Sequence, residues 1–173
     1  TAAFANQCDA CISPSQHLAK ILVEDGGLTT PCHVFPNGIN TQRYHDALAA
    51  DSPITKGPND KFIISVARLS PEKRQQALVE ALPHIPDENV KLVLVGGGPY
   101  EAELRACAER LGVAERVIFT GMQPSDTVAA LLKQADVFSL ASYHFDNQPM
   151  TFLEAASSGL PIVYCDERMT EGL

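Results

Sequence analysis

No run in this chain approaches the roughly 20 consecutive apolar residues that a membrane span needs. The opening T-A-A-F-A-N-Q has neither the basic start nor the long apolar centre of a signal peptide. A cytoplasmic protein is therefore expected. Positive charge is scarce, with 13 Lys and Arg against 21 Asp and Glu. A formal net charge of −8 argues against nonspecific binding to nucleic acid or to an anionic membrane, so any anion site must be local. Cysteine is present without a framework: the count of five is odd, and Cys8 and Cys11 form a lone C-x-x-C with no second pair to complete a zinc set. Reduced thiols are expected, with Cys11 pointing into a core. No D-x-D cluster is visible, and the triple glycine Gly96 to Gly98 lacks the G-x-G-x-x-G spacing of a dinucleotide site. What remains is ordinary globular material, 173 residues with 45% hydrophobic and 20% charged, enough for one core or for one domain and a piece of another.

The periodicity places the pieces. Residues 10–13 and 32–35 read as short strands around a helix that Ser15 can cap, with Leu18, Ile21 and Leu22 on one face and Gly26 and Gly27 at its end. Pro36-Asn37-Gly38 is a strong turn signal, and from there to Asn59 the chain is polar with weak helical character near 44–50, which reads as a linker. From residue 60 a clean alternation begins, with strands over 62–67, 90–95, 117–120, 135–140 and 161–164. Helices fall over 74–85, after the glycines at 96–98, over 126–133 and from Pro149. In the first of them Leu78, Ala81, Leu82 and Ile85 make the inner face. Continuous apolar strands separated by amphipathic helices imply a parallel sheet covered on both faces, an α/β Rossmann-like fold. Ligands of such sheets bind outside the carboxyl ends of the strands. The domain expectation is 1–40, 41–59 as linker, and 60–173.

The loops at that edge carry the chemistry. In A-S-Y-H-F-D-N-Q-P-M-T-F-L-E-A-A-S-S-G, residues 141–159, Pro149 suits the first turn of a helix whose Phe152, Ala155 and Ala156 share a face. Asp146 then lies ahead of the helix and Glu154 about one turn inside it, eight residues on. The unpaired backbone donors between them, with the positive end of the helix dipole, favour a phosphate or a row of sugar hydroxyls. Helix-capping acids on an outer face are the plainer explanation. In A-R-L-S-P-E-K-R, Arg68 and Lys73 lie five residues apart on a turn that can fold both over one edge, where they could neutralise a diphosphate. Here surface charge is the plainer explanation. A cation at a helix N-terminus opposes the dipole, so removing Lys73 is expected to cost the unliganded fold nothing unless another partner compensates it.

Together R-L-S-P-E-K, V-G-G-G-P, V-I-F-T-G, A-D-V-F-S-L-A-S and D-x7-E-A-x3-G-L-P-I-V stand in the order and spacing of the retaining glycosyltransferases of family 4, whose fold is GT-B. The chain resembles the tail of that family's amino domain, through D-A-C-I-S-P-S and V-F-P-N-G-I-N, followed by most of its carboxyl domain, truncated at Leu173. The resemblance implies a hexosyltransferase that takes sugar from a nucleoside diphosphate sugar without a metal or other cofactor. Arg68 and Lys73 would bind the diphosphate and Asp146 would stand near the transferred sugar. Gly97, Gly98 and Met122 would line the donor site, Asn147, Gln148, Met150 and Thr151 would meet sugar and phosphate, and Glu154 would hold the ribose. Asp146 shortens the family's usual Glu by one methylene, and Pro149 removes one N–H from a segment that is commonly glycine-rich. The wording looks most like bacterial glycolipid enzymes such as diacylglycerol glucosyltransferases. That implies a glycan or glycolipid acceptor held by the missing domain and, for the full-length protein, a place beside the inner membrane face. The fragment alone is expected to be inactive, with its segment before Asn37 docking on the second domain or self-associating. A non-catalytic nucleotide-binding regulatory module and a GT-B nucleotide-sugar epimerase are the rival readings.

Overall fold

The computed structural model of the chain describes residues 2–143 and 146–170. His144 and Phe145, inside the stretch expected to carry the site, and Leu173 lie outside the described residues.

The first unit is small. Helix α1 (Ala2–Ala5) leads to strand β1 (Cys11–Ser13), helix α2 (Gln16–Glu24) and strand β2 (Cys32–Val34), and β1 and β2 form a two-stranded parallel sheet. The Ser15 hydroxyl accepts from the Leu18 N–H at 3.1 Å and starts α2, as its place before the apolar period predicts. Asn6 ties α1 to the turn before β2, its side-chain oxygen accepting from the Thr29 N–H at 2.8 Å and its amide donating to the Gly27 carbonyl. Cys11 is half-buried beside the Ala5 carbonyl instead of lying in a core, because a sheet of two strands has little interior.

The stretch expected as a polar linker contains helix α3 (Thr41–Asp46), and its Tyr44 is only 3% exposed. Ile39, Ala47 and Ile54 pack beside Tyr44 against the core of the following sheet. Scattered apolar residues in a polar context give no period to read, yet each finds a place on the core.

The main sheet has strands β3 (Lys61–Val66), β4 (Val90–Val95), β5 (Val117–Gly121), β6 (Val137–Leu140) and β7 (Ile162–Tyr164), all parallel, in the order β5-β4-β3-β6-β7. Helices α4 (Gln75–Ala81), α5 (Glu101–Arg110), α6 (Ser125–Gln134) and α7 (Met150–Ser157) are the crossovers. Strand β4 shows why its sequence is an unbroken apolar run. Val93 and Val95 join the core on one face with α6 and α7, while Leu92 and Leu94 join the core on the other with α4 and α5.

Two helices depart from expectation. Arg74, at φ +52°, takes the left-handed conformation and delays α4 to Gln75, and the segment closes as a 3-10 turn over Leu82–His84 around Pro83. Its inner face holds buried Gln75, Val79 and Leu82, with Leu78 and Ile85 packed partly buried against the same core as expected, while Ala81 is exposed. In α7, Phe152 and Ala155 are buried but Ala156 is exposed.

Candidate functional site: the mouth of the switch point

Strand β3 is first in its sheet and sits in the middle. From it the chain runs outward through β4 to β5, then crosses back to β6 on the other side. The order therefore reverses between β3 and β6, and a crevice opens outside their carboxyl ends. The loop after β3 carries Arg68 and Lys73; the loop after β6 carries Asp146 and leads into α7.

These two loops meet. The Lys73 ammonium pairs with Asp146 Oδ1 across the switch point, with the two side chains 16% and 13% exposed. Asp146 Oδ2 is buried and has no hydrogen-bond partner among the described residues. Lys73 therefore has the compensating anion that its position beside a helix start demands, and that anion belongs to the protein. The expectation that its removal costs nothing without ligand is corrected accordingly. The loop is braced from within. Gln75, almost fully buried, donates from Nε2 to the Arg68 carbonyl at 2.8 Å, and the Ser70 hydroxyl donates to Glu72 Oε1 at 2.7 Å, which holds the Glu72 carboxyl below its ordinary range.

At the same carboxyl edge lies a cavity of about 500 Å³ whose lining includes Arg68, Met122, Gln123, Pro124, Val128 and Thr151 but neither Lys73 nor Asp146. Its walls are mostly apolar, with Arg68 exposed at one side and Thr151 coming from the first turn of α7. Pro149 caps α7 at φ −67°, ψ 120°, and the N–H groups of Met150 and Thr151 have no acceptor within the helix. The positive end of the α7 dipole thus adds to Lys73 and Arg68 at this edge.

The glycines serve the walls. A Cβ on Gly96 would lie 2.1 Å from the Ala67 carbonyl oxygen, and one on Gly98 would lie 2.0 Å from that of Leu69. Only glycine lets the loops after β3 and β4 approach this closely, with the Leu69 N–H donating to the Gly97 carbonyl at 3.1 Å. Gly97 backs onto Met122, whose Cγ would be 3.3 Å from an added Cβ.

Of the residues singled out in the sequence, Lys73 and Asp146 meet, and Arg68, Met122 and Thr151 surround the cavity with Gly97 behind it. Gly98 is turned to the Leu69 carbonyl. Met150 is half-exposed at the first position of α7, and Asn147 lies half-buried in the bend before it. Gln148 is 7% exposed, and its Oε1 accepts from the Asn37 N–H at 2.6 Å. Glu154 is absent from the cavity lining and hydrogen-bonds Tyr44 of α3. Burial first, and that carboxylate second, push the Tyr44 hydroxyl up to about 12. Tyr44, Gln75, Gln123 and the Asn37 contact are additions that sequence reading did not supply. A polar residue whose partner is distant in the chain leaves no local trace.

A parallel sheet with its first strand central, helices on both faces, and a cationic loop and a helix N-terminus facing each other over the switch point define a Rossmann-like domain, here the carboxyl-terminal half of a GT-B architecture. The chain belongs to the family described as glycosyl transferases group 1, whose model matches residues 49–171. It is 31% identical over 169 residues to an alpha-monoglucosyldiacylglycerol synthase of Streptococcus pneumoniae, a match covering 92% of this chain and 38% of that protein. It is 35% identical over 139 residues to a GDP-mannose-dependent alpha-(1-6)-phosphatidylinositol monomannoside mannosyltransferase of Mycobacterium tuberculosis, covering 74% of this chain and 36% of that one. Among solved structures, Anabaena HepE in complex with UDP and glucose superposes with a TM-score of 0.85 at 26% identity, over 94% of this chain and 46% of HepE. The chain thus spans less than half the length of these relatives.

Proposed function

We propose that this chain is the donor-binding half of a retaining, metal-independent glycosyltransferase that takes a hexose from a nucleoside diphosphate sugar. The observation that carries the proposal is the pairing of Lys73 with Asp146 across the switch point, at the same sheet edge as the 500 Å³ cavity and the start of α7. In this reading the cavity takes the nucleoside, and Arg68, Lys73 and the α7 N-terminus take the diphosphate. As the bond from sugar to diphosphate breaks, negative charge grows on the leaving group, and these preorganised positive groups offset it. Asp146 trades its ion pair for contact with the sugar, where its Oδ2, without a hydrogen-bond partner among the described residues, is available to a hydroxyl. The likeness to HepE, whose structure holds UDP, supports a uridine nucleotide, and the mannosyltransferase likeness keeps GDP as the second candidate. The glycolipid relatives support an acceptor of that class, held by the amino half.

Calorimetric titration of the chain with UDP and GDP tests this reading. Binding is expected, weakened about 10- to 150-fold in Arg68→Ala by loss of a charge-assisted contact, with no sugar transfer by this chain alone. Absence of heat with both nucleotides at millimolar concentration would remove the donor site, and transfer by the chain alone would overturn the need for the amino half.

A further inference from the structure

The Gln148–Asn37 contact joins residues 111 positions apart and is used by nothing in the proposed chemistry. Gln148 stands two residues after Asp146 and two before the first residue of α7, so its side chain is anchored in the loop that presents both. Asn37 belongs to the turn that leaves β2, at the end of the amino-terminal unit. Its N–H donates to Gln148 Oε1 at 2.6 Å, and Gln148 itself is 7% exposed. A buried amide fixed at its far end holds the backbone it grows from. Without that anchor the loop before α7 would keep Pro149 but lose its long-range tether.

We infer that Gln148 is a positioning residue that couples the amino-terminal unit to the nucleotide site. It sets the loop of Asp146 and the first N–H groups of α7 for the diphosphate, through its bond to the Asn37 N–H. The inference rests on the nucleotide reading above. Coupling free energies are reciprocal, so a ligand that orders the loop must also strengthen the hold on Asn37. This makes the turn after β2 a place where nucleotide occupancy is felt outside the site.

The test uses the whole 173-residue chain with UDP as probe and GDP in parallel. Gln148→Leu removes the acceptor, and Asn37→Pro removes the donor from a position outside the cavity lining. If both act through one bond, each weakens nucleotide binding about 3- to 10-fold, the size expected for one hydrogen bond, and the double variant is no weaker than either single one. In the wild type, hydrogen exchange at the Asn37 amide slows when UDP is added; this readout needs no variant to fold. Wild-type affinity in Asn37→Pro, additive losses in the double variant, or Asn37 exchange indifferent to bound UDP would overturn the coupling while leaving the nucleotide site intact. Failure of the wild type to bind either nucleotide would overturn both.

Discussion

Removing the Lys73 ammonium leaves the Asp146 carboxylate without its ion-pair partner, with one oxygen already unpartnered among the described residues. A fully buried pair broken in this way costs about 3–5 kcal/mol. With the two side chains 16% and 13% exposed, water recovers part of that, and Lys73→Ala is expected to destabilise the unliganded chain by about 1–3 kcal/mol. Arg68 is exposed, so Arg68→Ala should leave the melting temperature nearly unchanged while both variants lose nucleotide affinity. Thermal melts and titrations on the same proteins check this; equal stability of Lys73→Ala and wild type would mean that the pair is solvated and carries no energy. The companion variant Lys73→Ala/Asp146→Ala should regain most of the loss, since it leaves no charge behind. Tyr44 makes a prediction of a different kind. Its folded pKa, about 12, lies above the ordinary 10, so the protonated form is favoured by folding. Its contribution is complete below pH 10 and is lost as pH rises toward 12. Alkaline unfolding followed by circular dichroism should therefore be shallower in Tyr44→Phe over that window, and identical alkaline limbs would count against the buried hydroxyl.

At the scale of elements, the loops after β3 and β4 are pressed together more tightly than their turns alone require. Gly98→Ala would place a Cβ 2.0 Å from the Leu69 carbonyl oxygen, a backbone atom that can move only by parting the two loops. Gly112, at φ +69° with nothing within 4 Å, offers open space, so Gly112→Ala meets only the left-handed backbone cost of roughly 1–2 kcal/mol. Gly98→Ala should cost more than Gly112→Ala and should also lower nucleotide affinity, which Gly112→Ala should not; denaturant melts with a UDP titration separate them. Much of this layer was legible in the sequence. Apolar runs marked β3 to β7, and helical spacing marked α5 through Leu104, Cys107 and Ala108. The start of α4 was not legible, because nothing local in the sequence marks the positive φ of Arg74, the residue that follows Lys73. Helix α3 was legible only as weak helical character near 44–50, because its single buried tyrosine has no period around it. The strand order, and with it the switch point, lies beyond local pattern altogether. Lys73 and Asp146 stand 73 residues apart and Gln148 and Asn37 stand 111 apart, so only the closed fold shows which charges and amides are neighbours.

Across the whole molecule the two units are unequally finished. The main sheet is covered on both faces and holds two cores, whereas the amino-terminal unit has two strands, a four-residue and a nine-residue helix, and a surface that includes Phe4, Ile12 and Phe35 at 76%, 71% and 63% exposure. A two-stranded sheet is marginal without something packed on it, and exposed apolar side chains of this size favour association. Those three side chains remain open to solvent on the folded chain, so of the two outcomes expected for this segment, docking inward and pairing between copies, we predict the second. Sedimentation at rising concentration should show a growing dimer fraction, and Ile12→Lys with Phe35→Lys should return it to monomer without lowering the melting temperature of the main sheet. If the wild-type chain stays monomeric to the solubility limit with α2 and β2 protected from hydrogen exchange, the amino-terminal unit is stable with its apolar surface bare and the association is refuted. Any dependence of nucleotide affinity on the dimer fraction should run through the Asn37–Gln148 bond and vanish in Gln148→Leu; a dependence that survives in that variant would place a second copy of the chain at the site.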